Sequence, residues 1–431
     1  MSAPLLGRAS IHREVSRSLP GIGPSQPIGT GVSHRSWDAL SKGSTPTGVQ
    51  ASLKTTVDSR RHTGYENAVY SPDGHTVFVA YKRFLRDPTD PGGDYVEARL
   101  RVARSTDGGK NWTIQVVDPQ ASEAGDLIDQ SVAIGGDRGS TIYVTYLIQT
   151  GGGAKAGSLR IAKSSDGGET WTIRTVAGQN IGGYVALKVL DSKKVLVAAK
   201  KAGGTEPLRL HASDNSGRTW SRSRIDTFGW YTGLDASGSG RIWAGYYNPG
   251  ATSLHAASSM QPDGPWTRHE VAGQGGDEDY TGLGNSLDVS RSGDVYLSYE
   301  DFQPQRGRSV LRVSKSTDGG STWTRSRADA APILGWNTAI HVLSNPPPAQ
   351  THAFVAYWYG RLGDELKGQV RLAYSDDEAE TWSISTVRDR HYVFPYLDLT
   401  VPESGVQYVS YQARTEAGET ILRVARLNVT R

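Results

Sequence analysis

The chain has 431 residues, a formal net charge of +3, 51 glycines, 11 tryptophans, 20 tyrosines and no cysteine. The charge is small and Lys and Arg are interleaved with Asp and Glu, which argues against a nucleic-acid-binding stripe, and no apolar run is long enough to span a membrane. Without cysteine there is neither a disulfide nor a thiolate metal site, so stability has to come from packed apolar strand faces.

Residues 1–47 are rich in Ser, Gly and Pro with scattered Arg. They read as a flexible or surface-draped basic arm, and as the place where a protein partner would be recognised if the chain were a scaffold or a delivered cargo. The longest apolar stretch near the start, Pro4-Leu5-Leu6, is too short for the core of a secretory signal. Residues 48–431 read as one domain. Its first segment, GVQASLKTTVD from Gly48, is strand-like.

Two series of short strands then alternate down the chain. The first reads TVFVAY from Thr76, TIYVTY from Thr141, KVLVAA from Lys194, RIWAGY from Arg241, DVYLSY from Asp294, HAFVAY from His352 and VQYVSY from Val406. The second follows it each time: LRVARS from Leu100, LRIAKS from Leu159, LRLHAS from Leu208, LHAASS from Leu254, LRVSKS from Leu311, VRLAYS from Val370 and LRVARL from Leu422. Both are β-branched and aromatic, bounded by Gly, Asp or Ser, and their recurrence marks a repeat architecture.

After the second series comes a turn, Ser-x-Asp-x-Gly-x-x-Trp, clean at Ser105, Ser164 and Ser316 and weaker at Ser213, Ser259 and Ser375. The Asp can accept bonds from the turn's own amides, Gly supplies a dihedral that other residues adopt at a cost, and Trp packs between sheets. Five intervals separate Asp107 from Asp377, about 54 residues each, which suits four strands and their loops. The last repeat stops after its third strand, so Gln50–Val57 is expected to supply the fourth and close the ring. The predicted fold is an all-β, seven-bladed β-propeller, with a six-bladed form as the alternative.

These turns resemble the Asp boxes of the sialidase (neuraminidase) superfamily, and the resemblance covers nearly the whole chain after the arm. It implies a carbohydrate-active protein, most simply a sialidase-like glycoside hydrolase, in an extracellular or secreted setting. The chain has no Phe-Arg-Ile-Pro segment and no Arg triad on its innermost strands, so cleavage of sialic acid itself is not implied. A glycan-binding lectin and a polysaccharide lyase are the alternatives.

In a propeller the ligand face gathers the starts of the innermost strands and the loops after the second strands, opposite these turns. For hydrolysis, which needs two carboxylates about 5–10 Å apart or a Tyr nucleophile, the candidates are Glu66, Asp129, Asp279, Glu300 and Tyr65. Arg61, Tyr184, Trp230, Tyr231, Tyr280, Trp336, Asn337, Trp358, Arg361, His391 and Tyr396 are the candidate sugar contacts, aromatic faces for pyranose rings and polar groups for hydroxyls. In the lyase alternative His391 or His62 abstracts a proton while Arg61, Arg361 or Arg414 neutralises a uronate carboxylate. No metal-ligand spacing is present and no cofactor is expected, although a channel could hold a structural Ca²⁺.

Overall fold

The computed structural model describes residues 49–86, 95–123, 132–149, 157–202, 207–273, 280–303, 308–331, 333–344, 351–360, 368–388 and 393–429. The proposed arm therefore lies outside the described residues. Within them the chain is all β, with no helix. In chain order the strands are β1 (Val49–Asp58), β2 (Thr63–Tyr70), β3 (Val77–Arg86), β4 (Tyr95–Ser105), β5 (Thr113–Glu123), β6 (Val132–Gly136), β7 (Ile142–Gln149), β8 (Gly157–Ser164) and β9 (Thr172–Val189). They continue as β10 (Val195–Lys201), β11 (Leu208–Ser213), β12 (Ser221–Asp226), β13 (Trp230–Ala236), β14 (Ile242–Asn248), β15 (Ser253–Ser259), β16 (Thr267–Ala272), β17 (Tyr280–Val289) and β18 (Val295–Gln303). The last are β19 (Arg308–Ser316), β20 (Thr324–Ala331), β21 (Ile333–Ser344), β22 (Thr351–Gly360), β23 (Gly368–Ser375), β24 (Ser383–Arg388), β25 (Val393–Thr400), β26 (Gln407–Arg414) and β27 (Thr420–Val429).

These form antiparallel sheets in the orders β2-β3-β4-β5, β13-β14-β15-β16, β17-β18-β19-β20 and β21-β22-β23-β24, with β1-β27-β26-β25 joining the two ends of the described chain. The expected closing strand is thus in place, with Thr55 opposite Val424 and Asp58 opposite Leu422. One feature departs from evenly punctuated repeats. β9 runs without a break from an outer position beside β8 to an inner one beside β10, fusing its neighbours into a sheet of order β12 to β6. Ile181 in its middle pairs with both Gly157 and Lys201, so the connection itself finds backbone partners. The innermost strands contact one another in the cyclic order β2, β6, β9, β13, β17, β21, β25 and back to β2.

Why these residues make these strands follows from what covers them. Second-position strands such as β10 (VLVAAKK) are buried on both faces, which explains their unbroken apolar runs. Fourth-position strands such as β12 and β16 face solvent over their first half and carry alternating Ser, Thr, Arg and His. The Ser-x-Asp-x-Gly turns behave as their chemistry requires: Asp107 accepts the amides of Lys110 and Asn111, both at 3.0 Å, while Gly108 and Gly109 take φ of 73° and 87°. These amides and hydroxyls hold the Asp107, Asp166 and Asp318 carboxyls below the ordinary carboxylate range.

Four of the joins between neighbouring sheets carry a further trio built on a buried Asp and Tyr. A fourth-strand Asp accepts the hydroxyl of a second-strand Tyr on the next sheet and faces an Arg of that sheet: Asp58 with Tyr81 (2.7 Å) and Arg101 (3.3 Å), Asp118 with Tyr146 (2.7 Å) and Arg160 (3.0 Å). Asp226 with Tyr246 (2.6 Å) and Arg268 (3.1 Å), and Asp329 with Tyr357 (2.5 Å) and Arg371 (3.2 Å), repeat it.

Candidate functional site at the axis

The innermost strands surround an axial cavity of about 340 Å³. Pairing with the second strands sorts its wall into layers. At the mouth, where the innermost strands start, it is lined by Glu66, Asn67, Thr232, Asn285, Asn337 and Tyr396. The middle layer is small, with Ala68, Ala133, Ala186, Gly233, Ser286 and Ala339, and carries one acid, Asp398. Small residues are needed there because adjacent strands approach closely; a Cβ on Gly233 would lie 2.6 Å from the Leu287 amide nitrogen. At the far end Lys188, Asp235, Asp288 and His341 occupy one register position on four consecutive innermost strands.

The acids here have distinct environments. Asp398 accepts the Val69 amide of the neighbouring strand at 2.8 Å, and burial pushes its carboxyl up to about 7, against the lowering effect of the Val69 and Leu399 amides. Asp235 and Asp288 hydrogen-bond each other and likewise each accept an amide from the next strand, Val289 at 2.8 Å and Val342 at 2.7 Å. Burial works against both charges, but the Lys188 ammonium, ion-paired with Asp235, holds that carboxyl below its ordinary value. Burial together with the Asp235 charge drives Asp288 well above it. The two carboxyls are therefore pushed in opposite directions, Asp235 toward the ionised form and Asp288 toward the protonated one. His341, 3.5 Å from Asp288, is pushed down to about 4 by burial and is neutral at pH 7.

At the mouth, Glu66 is 4% exposed in a left-handed conformation (φ 51°), with Lys82 Nζ at 3.4 Å. Asn67 donates to the carbonyls of Gly64 and Tyr396 and accepts from Ser410, so its amide is fixed in orientation. Tyr65 packs edge-on against Phe84 and Tyr396, with centroids 5.0 and 5.9 Å away. Across the axis Tyr184, Trp230, Tyr231 and Tyr280 gather with Tyr247 and Leu283 in one aromatic cluster. Lys200 lies over the rings of Tyr184 (5.3 Å) and Trp230 (5.0 Å). Of these rings only Trp230 is more than marginally exposed. Tyr184, Tyr231 and Tyr280 are buried in that cluster and are not among the residues that line the cavity.

The other candidates fall elsewhere. Trp358 is 2% exposed and donates its indole N–H to the Val393 carbonyl at 2.6 Å, so its ring has no face open to a sugar. Glu300 is 1% exposed and accepts from Ser309, away from the residues that line the cavity. Arg61 is largely exposed and ion-paired with Glu419 at 2.5 Å. Asp129, Asp279, Arg361 and His391 lie outside the described residues, as does the side chain of Trp336. Among the described residues no group of His, Asp and Glu could hold a metal ion, and no helix is long and apolar enough to cross a membrane. A reading confined to strand starts passes over Lys188, Asp235, Asp288, His341 and Asp398. Their signal was a polar residue inside an otherwise apolar innermost strand, as in GLDA, SLDV and AIHV, with Asp235, Asp288 and His341 spaced 53 residues apart.

No protein-family model matches the chain and no curated protein matches its sequence. Among solved structures it is similar to a protein of unknown function from Dyadobacter fermentans, with 14% identity, a TM-score of 0.52, and coverage of 88% of this chain and 99% of that one. It is also similar to an ulvan lyase, a polysaccharide lyase solved bound to -[GlcA(1-4)Rha3S]-, with 12% identity, a TM-score of 0.55, and coverage of 86% and 95%. The intramolecular trans-sialidase of Ruminococcus gnavus matches with 14% identity, a TM-score of 0.43, and coverage of 88% and 96%. At such identities the likeness is one of architecture, and the chain is an all-β protein of propeller-like fold.

Proposed function

We propose that the chain is a seven-bladed propeller and a carbohydrate-active enzyme, a sialidase-like glycoside hydrolase whose glycan enters the mouth of the axial cavity. The observation that carries this reading is the presence of two carboxyl groups in different environments on one cavity wall, Glu66 beside Lys82 and Asp398 with its carboxyl pushed up to about 7. Asp398, about half protonated near pH 7, donates its proton in that form to the glycosidic oxygen as the bond to the anomeric carbon breaks. Glu66 takes a proton from the water whose oxygen bonds to that carbon. The amides and hydroxyls of Asn67, Thr232, Asn285 and Asn337 form the polar lining that sugar hydroxyls require. Asp129 and Asp279 remain proposed contributors, and Trp230 and Lys200 a flanking contact.

The test is mass spectrometry of products after incubation with sialosides, neutral glycans and uronate polysaccharides, using the intact chain and its Glu66→Gln, Asp129→Asn and Asp398→Asn variants. Products that gain water and fall at least about 100-fold in the Asp398→Asn variant are expected, as for loss of a general acid. Unsaturated uronate products would replace hydrolysis by elimination. Absence of turnover with retained glycan binding would make the chain a lectin.

A further inference from the structure

The acid of the Asp, Tyr and Arg trio is missing where Ala272 stands opposite Leu254 and Arg388 opposite Val370, and both acid and phenol are missing at the interface between the outer half of β9 and the strands β10, β11 and β12. Where Asp118, Asp226 and Asp329 stand opposite Leu100, Leu208 and Leu311, the residue opposite Leu159 is Ala177. Where Tyr81, Tyr146 and Tyr357 pair with Arg101, Arg160 and Arg371, the residue paired with Arg209 is Ala199. Acid and phenol are lost together, and the arginine is kept.

What surrounds Arg209 is more positive charge. β12 places Arg224 directly opposite it and Arg222 opposite His211, so one face of the ladder presents three guanidinium groups. Arg222 and Arg224 are exposed and Arg209 half-buried. Like charges directly across a ladder repel. His211 is 3% exposed, and its Nε2 has no hydrogen-bond partner among the described residues. Burial and the charges of Arg222 and Arg209 push this ring down to about 4, so it is neutral at pH 7. The same Arg-Ser-Arg sequence on β20 differs in the one respect that matters: there Arg312, opposite Arg327, is ion-paired with Asp301.

We propose that the face formed by Arg209, Arg222 and Arg224 is a second binding site, distinct from the axis, that takes the carboxylate or sulfate group of an acidic glycan in place of the missing aspartate. Guanidinium forks match planar or tetrahedral oxyanions bidentately. The patch spans two cross-strand pairs, room for one anionic substituent and not for a tracked phosphate backbone, and the net charge of the chain is only +3. The glycan part of this assignment rests on the function proposed above; the oxyanion part rests on the arginine cluster and the absence of both acid and phenol beside it.

The experiment is calorimetric titration of the intact chain at moderate salt with sulfated dextran oligosaccharide, polygalacturonate oligomer, neutral dextran oligomer and a DNA oligonucleotide. Three variants accompany it: Arg209→Ala with Arg224→Ala, the control Arg325→Ala with Arg327→Ala on β20, and Ala177→Asp, which supplies the acid that Asp58, Asp118, Asp226 and Asp329 provide elsewhere. One or both acidic oligosaccharides are expected to bind, which also identifies the substituent, and the neutral one not. Affinity should fall about tenfold or more in the first variant and in Ala177→Asp, and stay unchanged in the control. Equal loss in the control, or no binding of either acidic oligosaccharide, would overturn the proposal. Tighter binding of DNA with the same mutational pattern would transfer the site to nucleic acid and overturn the glycan assignment. The readout is binding alone, so a failed hydrolysis assay leaves it standing, and hydrolysis of a neutral glycan should survive the Arg209→Ala change.

Discussion

Glu300 shows how far a single side chain can be moved from its sequence context. In the sequence it sits after a second strand beside Asp301, where a rim carboxylate is expected. In the fold it is 1% exposed, accepts from Ser309, and burial with the adjacent Asp301 charge raises its carboxyl up to about 8. The unfolded chain ionises this group in the ordinary Glu range, so it releases its proton before the folded chain does. The stability it allows is therefore full below about pH 4.5 and declines as pH rises to about 8, by on the order of a few kcal/mol. Glu300→Gln keeps the acceptor for Ser309 and removes the titration. Thermal melts from pH 4 to pH 9 should show the variant matching the parent at the acid end and melting higher at the alkaline end. A difference that stays constant across this range would rule out a protonated Glu300. Exposure of this kind is invisible in sequence because it depends on which sheet covers the strand.

At the level of elements, much was legible. Both strand series and the Ser-x-Asp-x-Gly turn are local patterns, and each lands on the strand or turn that its chemistry specifies; even Asn215, standing for Asp, accepts the amides of Arg218 and Thr219. The trio that joins sheets was equally present, as TTVD, VVD, RID and RAD on fourth strands, but it has no local meaning. Its partners lie 23, 28, 20 and 28 residues away, on the next sheet. Removing the acid leaves a buried phenol and a partly buried guanidinium without their acceptor. Asp118→Ala should thus destabilise the chain by about 3 kcal/mol, and a double-mutant cycle with Tyr146→Phe should show that much of the loss is coupling between the two. Chemical denaturation measures it. Additive losses would mean that Asp118 serves the strand and not the interface.

For the molecule as a whole, the decisive contact joins the ends. Ring closure was readable because the last repeat lacks a fourth strand and one strand-like segment precedes the first repeat. The charged layer at the axis was not, since it arises only when innermost strands far apart in sequence meet. β1 does two things: it covers the edge of β27 from Val49 opposite Val429 to Asp58 opposite Leu422, and through Asp58 it holds Tyr81 and Arg101 of the first full sheet. A chain that begins after Asp58 would expose a ten-residue edge, Thr420–Val429, with Val424 and Leu427 uncovered beside it. Exposed edges of this kind recruit other strands. The truncated chain is expected to melt lower and to elute from size-exclusion chromatography with light scattering as dimers or larger species. A peptide with the sequence VQASLKTTVD, added in excess, should restore the monomer, because it supplies both the strand and the carboxylate. The same peptide with Asp58→Ala should cover the edge yet recover less of the melting temperature, separating strand pairing from the buried trio. If the truncated chain were monomeric with an unchanged melting temperature, closure through β1 would contribute nothing to stability, and the seven-blade reading would lose its principal support.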